Sequence, residues 1–424
     1  MPPPEVSAVL PSAAVVAGKW VEKSAETPDR LHAGTPAFRR TAFGVFVGGF
    51  ATFAMLYGFQ PLLPQFSDEF NLTPAQASGV MSAATGALAL MLIPAGMIAD
   101  RLGRKSVMVT ALGLAACLTL ASAFASDFSH LLLLRALLGM FLAGLPAVAM
   151  AYLSEEVAPD SLGRSMGLYI SGNALGGLCG RLLASALADW NSWRLAAGVL
   201  GVMGIAATFA FWRNLPASRH FRPSHISLAS FMGGCRRHFG DAAMRWLFVV
   251  GFLLMGSFVS LYNYLGYRLA LPPFGLRPGQ IGLVFSLYLL GMWGSAWAGK
   301  LADRLGRRNV LWALVCAMPL GLTLTLTDNL PLLLCAIGLF TFGFFAAHSV
   351  ASSWIGRRAT ESRALASALY LSAYYLGSSS LGSVSGLMWH VDGWRGIAGL
   401  LVVCLLACVA IALRLRALVP ATVK

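Results

Sequence analysis

Of 424 residues, 57% are hydrophobic and 11% charged, with a mean hydropathy of +0.71; a soluble domain carries about 25% charged residues, so a soluble globular chain is excluded and a membrane protein is expected. The formal charge of +14 does not mark a nucleic-acid partner, because the basic residues punctuate apolar runs instead of forming a patch. Cys117, Cys179, Cys235, Cys316, Cys335, Cys404 and Cys408 lie mostly inside apolar runs, with neither metal-ligand spacing nor a disulfide framework, so no metal and no cofactor are expected.

Residues 1–38 are rich in Pro, Ala and mixed charge and have no sustained apolar stretch. They are expected to form a disordered cytoplasmic tail. No cleavable signal peptide is expected, since the first long apolar run is of spanning length and lies too far in. A helical span takes about 20 apolar residues. The apolar runs place the first six spans, helices 1 to 6, at 41–63, 76–98, 106–126, 129–153, 165–187 and 193–213. Helices 7 to 12 follow at 245–268, 279–300, 309–327, 330–355, 364–387 and 394–413. Residues 214–244, basic and short on apolar periodicity, are the longest loop. They divide an N-terminal six-helix bundle (39–213) from a C-terminal one (245–416), and 417–424 form a second tail. With the N-terminus inside, the inner pieces collect most of the Lys and Arg, and the outer side holds only Arg194, Arg268, Arg277 and Arg395. Both termini are therefore expected in the cytoplasm.

The halves repeat. Gly96-Met-Ile-Ala-Asp100-Arg101-Leu-Gly103-Arg104-Lys105 returns as Gly299-Lys-Leu-Ala-Asp303-Arg304-Leu-Gly306-Arg307-Arg308, an offset of 203 from Asp100 to Asp303. Phe70-Asn-Leu-Thr-Pro74-Ala-Gln76 returns as Phe274-Gly-Leu-Arg-Pro278-Gly-Gln280, Leu168-Tyr169-Ile-Ser171 as Leu369-Tyr370-Leu-Ser372, and Trp193-Arg194 as Trp394-Arg395. Matching segments at nearly one offset mean a duplicated six-helix unit. The first pair sits between spans as tight charged hairpins, whose glycines permit a sharp turn. It resembles the G-x-x-x-D-R-x-G-R-[RK] signature of the major facilitator superfamily, in the loops joining helices 2–3 and 8–9. The resemblance covers roughly residues 41–415. It implies an all-α membrane fold of twelve transmembrane helices in two pseudo-symmetric bundles, with a substrate site between them near the midplane. Tyr152-Leu-Ser-Glu155-Glu156, Met166-Gly-Leu-Tyr-Ile-Ser-Gly-Asn173 and the run from Gly343 through His348 to Gly356 resemble the bacterial YnfM-type inner-membrane transport proteins, in the drug- and metabolite-efflux branch.

In that superfamily helices 1, 4, 7 and 10 line the central cavity, so polar groups on them are the candidate substrate contacts. Helix 1 offers Tyr57 and Gln60, followed by Pro61 and Pro64, which also read as a plain kink. Helix 4 carries Arg135. With Gly139 it resembles the antiporter pattern R-x-x-Q-G, in which the Arg couples proton or substrate, although Leu138 stands in place of the Gln. The other reading of Arg135 is snorkelling to the outer interface. On helix 5, Gly172, Gly176 and Gly180 form a packing face. Beside it Tyr169, Asn173, Gly177 and Arg181 recur at the same period and read as a cavity wall. Helix 7 carries Tyr262, Asn263, Tyr264 and Tyr267; helix 10 carries Thr341, Phe344, His348 and Ser352; helix 11 adds Tyr370 and Tyr374. His348 is the one group in the spans with an unperturbed pKa near neutral, and reads either as a cavity residue or as a satisfied core histidine. No acid lies deep in a span. Arg135 and Arg181, each about six residues or roughly 9 Å from the outer end, therefore favour an anionic or neutral polar substrate over a lipophilic cation. Gly96, Asp100, Arg101, Gly103 and Arg104, with Glu155, Glu156, Asp303, Arg304, Gly306 and Arg307, are expected to form a cytoplasmic gate of ion pairs; static surface pairing is the alternative.

The chain is thus expected to be a secondary transporter of the bacterial inner membrane, monomeric, working by alternating access. Its partners are a small-molecule substrate, the proton as coupling ion, and the bilayer. The resemblance implies efflux by proton antiport. An uptake permease of the same fold and a non-transporting sensor are the rivals. An enzyme is not expected, for want of a nucleophile–base pair or metal cluster, and ATP coupling finds no G-x-x-x-x-G-K-[ST].

Overall fold

The computed structural model describes residues 30–221 and 228–418. Every expected span falls on a helix. Among the described residues, eight helices are long and apolar enough by themselves to cross a membrane. One of these, Arg363–Ala417, holds two spans, because Asp392 (φ −150°, ψ 34°) and Gly393 (φ 50°, ψ −130°) break it into helices 11 and 12. The other three spans escape a hydropathy reading for separate reasons. Helix 4 is two pieces, Phe128–Leu142 and Ala149–Glu156, parted where Pro146 offers no N–H. Helix 5, Pro159–Trp190, carries the polar face. Helix 9, Arg307–Leu324, opens on two arginines. The remaining spans are helix 1 (Pro36–Tyr57), helix 2 (Pro74–Leu102), helix 3 (Arg104–Ser122), helix 6 (Trp193–Asn214), helix 7 (Ala242–Ala270), helix 8 (Pro278–Leu283 and Tyr288–Leu305) and helix 10 (Leu330–Arg358). Side-chain caps start many of them: Thr73 and Gln76 close a capping box on helix 2, and Asp127, Ser192, Asp241 and Asn329 accept from first-turn amides.

The repeat seen in sequence is a repeat in space. Gly103 (φ 94°, ψ 143°) and Gly306 (φ 85°, ψ 136°) turn the two charged hairpins in the same conformation, one closed to side chains with a Cβ. Helices 1 and 5 approach so closely that a Cβ on Gly176 would lie 2.0 Å from the Phe50 carbonyl oxygen. The equivalent helices 7 and 11 repeat this, with Gly377 at 2.0 Å from that of Phe252.

Between the halves, helix 2 packs on helix 11 and helix 5 on helix 8. Among the described residues, the hydrogen bonds that join the halves all lie toward the end of the bundle away from the chain termini. Ser379 and Ser383 hydroxyls donate to the Ser82 carbonyl and hydroxyl, each at 2.8 Å. Tyr267 donates to the Leu63 carbonyl at 2.8 Å and lies 2.6 Å from the Ser67 hydroxyl. Gln60 donates to Asn263 at 2.7 Å.

At the terminal end the loops are tied down. The expected tail falls mainly on residues 1–29, outside the described residues. From Leu31 the chain is held: Leu31 N–H donates to the Glu156 carbonyl (2.9 Å), Ala158 N–H to the Leu31 carbonyl (3.1 Å), and Ala33 N–H to Ser161 Oγ (2.8 Å). Helix 1 then begins at Pro36, capped by Thr35, five residues before its expected start at 41. The loop 214–244, expected without periodic structure, contains a helix at Leu228–Gly240; 222–227 lie outside the described residues. Arg237 pairs with Glu361, and Arg358 donates to Asp241 at 2.7 Å, so this helix is fixed to the C-terminal half. Burial pushes the Asp241 carboxyl up, but the bond and charge of Arg358 outweigh it and hold it below its ordinary value.

The close contact between helices 1 and 5 can be tested in detergent by thermal unfolding. Gly176→Ala and Gly377→Ala should each destabilise by about 1–3 kcal/mol through overpacking. Gly167→Ala, with nothing near its Cβ, should be neutral to within about 0.5 kcal/mol. Equal melting of Gly176→Ala and Gly167→Ala would refute the contact.

Candidate functional site

Helix 1 stops at Tyr57, passes through a 3-10 turn at Gln60–Leu62 and resumes as Leu63–Phe70. The cause is Pro61, which has no N–H for the Tyr57 carbonyl. A helix end leaves carbonyls without partners, and in a bilayer each such group costs several kcal/mol. Arg135 meets this need. Its two terminal nitrogens donate to the carbonyls of Met55 (3.0 Å) and Leu56 (2.6 Å), and its Nε to Val80 on helix 2 (3.4 Å). The guanidinium sits 4.4 Å from the Phe59 ring centroid and the residue is fully buried. It neither snorkels to an interface nor faces a wall of the cavity; its charge is spent on backbone.

The break leaves Tyr57 and Gln60 facing Arg181 of helix 5. Arg181 Nε donates to Gln60 Oε1 at 2.7 Å and one terminal nitrogen to the Gly177 carbonyl at 2.7 Å. Gln60 in turn donates to Asn263 of helix 7. Arg181, Gln60 and Asn263 are thus a three-residue chain across the boundary of the halves. The guanidinium carbon lies 4.4 Å from the Tyr57 ring centroid, 4.8 Å from that of Tyr288 and 5.3 Å from that of Phe285. Arg181 makes no ion pair among the described residues, and it is 2% exposed. The hydroxyls of Tyr57 and Tyr288 and the Asn263 amide nitrogen are buried without a hydrogen-bond partner.

From Tyr288 an aromatic wall runs through the C-terminal half. Phe258 lies 5.4 Å from Tyr288 and stacks on Phe344 at 3.7 Å. Phe344 stacks on His348 at 6.0 Å. His348 Nδ1 is 3.0 Å from the Tyr370 hydroxyl and its ring 4.5 Å from Tyr374; His348 and Tyr374 are half-buried. Tyr262 bonds Thr341 at 2.8 Å and stacks on Phe285. In the N-terminal half, Tyr169 is buried and Asn173 half-buried beside Gly49.

The structure therefore brings Tyr57, Gln60, Arg181 and Asn263 together, joins them through aromatic rings to Tyr262, His348, Tyr370 and Tyr374, and turns Arg135 away. Sequence reasoning missed Tyr288 and Phe285 because its candidates stood on helices 1, 4, 5, 7, 10 and 11, and these two stand on helix 8. Their spacing of three residues at the start of that span was the available signal. The 3-10 turn at Val284–Leu287 aligns residues three apart.

At the terminal end, Arg104 donates to Asp100 (2.5 Å) and to Glu155 (2.8 Å). In the second hairpin the balance is reversed: one acid, Asp303, accepts from Arg307 (2.8 Å) and Arg357 (3.2 Å), and Arg307 also reaches Ser353 (2.9 Å). Glu156 is not in this network. It is buried and takes the backbone N–H of His220 at 2.9 Å, with the His220 ring at 3.1 Å, so it anchors the loop between the halves. Arg101 and Arg304 are exposed, and Gly96 lies on helix 2 facing the hairpin's open side.

The comparisons agree with this architecture. The family model of the Major Facilitator Superfamily matches residues 45–272 and 253–424. The inner membrane transport protein YnfM of Escherichia coli is 45% identical over 90% of this chain and 92% of its own. The uncharacterized MFS-type transporter YybF of Bacillus subtilis is 42% identical over 89% and 93%. A bacterial homolog of the human lysosomal transporter Spinster, solved inward-facing and unoccupied, superposes with a TM-score of 0.78 at 17% identity, covering 90% of this chain and 97% of that one. With two duplicated halves, paired Asp–Arg hairpins and full-length relatives at these identities, the chain belongs to the major facilitator superfamily.

Proposed function

We propose that the protein exports a small organic compound across the bacterial inner membrane by alternating access, in exchange for protons. The observation that carries this is the confinement of the bonds between the halves to the end away from the termini, with a buried unpaired arginine at their inner edge. With both termini cytoplasmic, as the Lys/Arg distribution argues, the joined end is the outer one and the molecule is open to the cytoplasm. A site reached from the cytoplasm is where an exporter loads and an importer unloads, so the choice of export rests on the resemblance of Tyr152–Glu156 and Met166–Asn173 to the efflux branch. The relationship to the inner membrane transport protein YnfM supports transport at that membrane, and the fold shared with the Spinster homolog supports a two-half architecture.

The hairpins supply the gate. Arg104 between Asp100 and Glu155 holds helices 2, 3 and 4 together at the cytoplasmic end of the N-terminal half. These pairs are partly buried, and they decide which arrangement of helix ends is favoured as the halves rock. No carboxylate lies deep in a described span. The proton is therefore assigned to His348, half-buried on the aromatic wall and bonded to Tyr370.

The reading is tested by accumulation of candidate compounds in cells with and without the gene, in a strain stripped of other exporters, then in vesicles of both orientations; entry driven in right-side-out vesicles only would instead mark an uptake permease. Two variants examine the parts. Asp100→Asn should slow turnover about tenfold, or about 1.4 kcal/mol in the barrier, with protein level unchanged. Wild-type rates from a well-expressed variant would remove the gate. His348→Gln should flatten the dependence of flux on pH; an unchanged profile would move the proton to Glu155, Asp189 or Asp68.

A further inference from the structure

We propose that Arg181 receives the single negative charge of a substrate with a flat apolar body, an aromatic monocarboxylate or a compound of the same shape and charge, and that Tyr57 and Tyr288 donate to the same anionic group. This names the substrate class for the exporter above and rests on that reading for the direction of transport, not for the binding itself.

Arg181 is a buried cation with no acid beside it. Burying a charge without a partner is unfavourable by several kcal/mol, and aromatic faces offset only part of that. Of the five N–H donors of a guanidinium, two are used, on Gln60 and the Gly177 carbonyl. Three donors remain, in a fork whose geometry matches a carboxylate. Around them stand further donors with nothing to bond. The hydroxyls of Tyr57 and Tyr288 belong to the two rings stacked nearest the guanidinium, and the Asn263 amide nitrogen belongs to the next residue along the chain through Gln60. These three residues are 3%, 5% and 1% exposed. A buried donor without a partner is costly, and a carboxylate, with about four acceptor sites, can take two donors of the guanidinium fork together with the two tyrosine hydroxyls.

The charge count follows from what Arg135 does. Three of its five donors are held by carbonyls and its guanidinium lies against the Phe59 ring in full burial, so the site at Arg181 offers one cation, and a second anionic group would have no partner. A cationic substrate fares worse. Aromatic cages do bind cations, but here Arg181 already lies over Tyr57, Tyr288 and Phe285, and a second positive charge would sit against it. The flat body follows from the wall: Phe258 and Phe344 stack at 3.7 Å with a 12° angle between planes, and His348 and Tyr374 continue the surface. Rings of this kind accept another ring by offset stacking or edge contact.

The test is binding to the full-length protein in lipid nanodiscs by titration calorimetry. The probes are 2-naphthoate, naphthalene-2,6-dicarboxylate and a 2-naphthylmethyl trimethylammonium of the same body. Naphthoate should bind at least about tenfold more tightly than either of the other two. Arg181→Gln should weaken naphthoate about tenfold or more, and Tyr57→Phe and Tyr288→Phe, which keep their rings, about threefold to tenfold each. The ammonium probe binding as tightly as naphthoate, or naphthoate indifferent to the two Tyr→Phe changes, overturns the proposal even if Arg181→Gln does not fold. Proton-driven export of cations that survives both Tyr→Phe changes keeps the export reading and sinks the site. Naphthoate binding that depends on Arg181 without any proton-driven export does the reverse.

Discussion

The Arg135 guanidinium on the carbonyls of Met55 and Leu56 is the contact that the centre of the molecule depends on. A span that stops halfway exposes backbone to hydrocarbon, and no water is there to take up the loss. Because Arg135 accepts that duty, helix 1 can break at Tyr57 without being destabilised. Because it breaks, Tyr57 and Gln60 leave the helical path and meet Arg181. Because Gln60 meets Arg181, it can also reach Asn263 in the other half. One charge buried on backbone carbonyls thus lets a second be buried at the boundary of the halves.

Much of the fold could be read from residues alone. The duplicated Asp–Arg hairpins, the recurrence of Phe70 through Gln76 and of Trp193-Arg194, and the spacing of apolar runs led to twelve helices in two halves, and the geometry of Gly103 and Gly306 explains why that signature is so rigid. The glycine face of helix 5 read correctly as packing. What sequence could not supply was direction. Arg135 and Arg181 look alike in a string: each is one arginine in an apolar span at the same depth. Only the break in helix 1, which depends on where carbonyls are left over, separates them. Glu155 and Glu156 are neighbours, yet successive helical side chains point about 100° apart, so one faces the hairpin and the other the loop between the halves. Tyr288 was invisible because the candidate cavity residues stood on other helices, while a short 3-10 turn brought helix 8 among them.

The two hairpins also show how a duplicated unit diverges without losing its shape. The first centres on an arginine held by two acids; the second centres on an acid held by two arginines. Both satisfy the same demand, which is to fix the ends of three helices at a turn that has no room for packing. The backbone geometry of the glycine turns is kept and the polarity exchanged, so the two hairpins carry unlike local charge on one conformation.

The backbone-to-backbone contact of Gly176 with Phe50, repeated by Gly377 with Phe252, has a mechanical consequence. Helices in such contact cannot slide or roll without collision, so each pair behaves as one stiff lever. Arg181 and Tyr57 ride on one of them and Asn263 on the other, with Tyr288 beside it on helix 8 of the same half. Any change in the angle between the two pairs draws the amide away from the guanidinium as a unit, a matter of leverage that needs no rearrangement inside either pair.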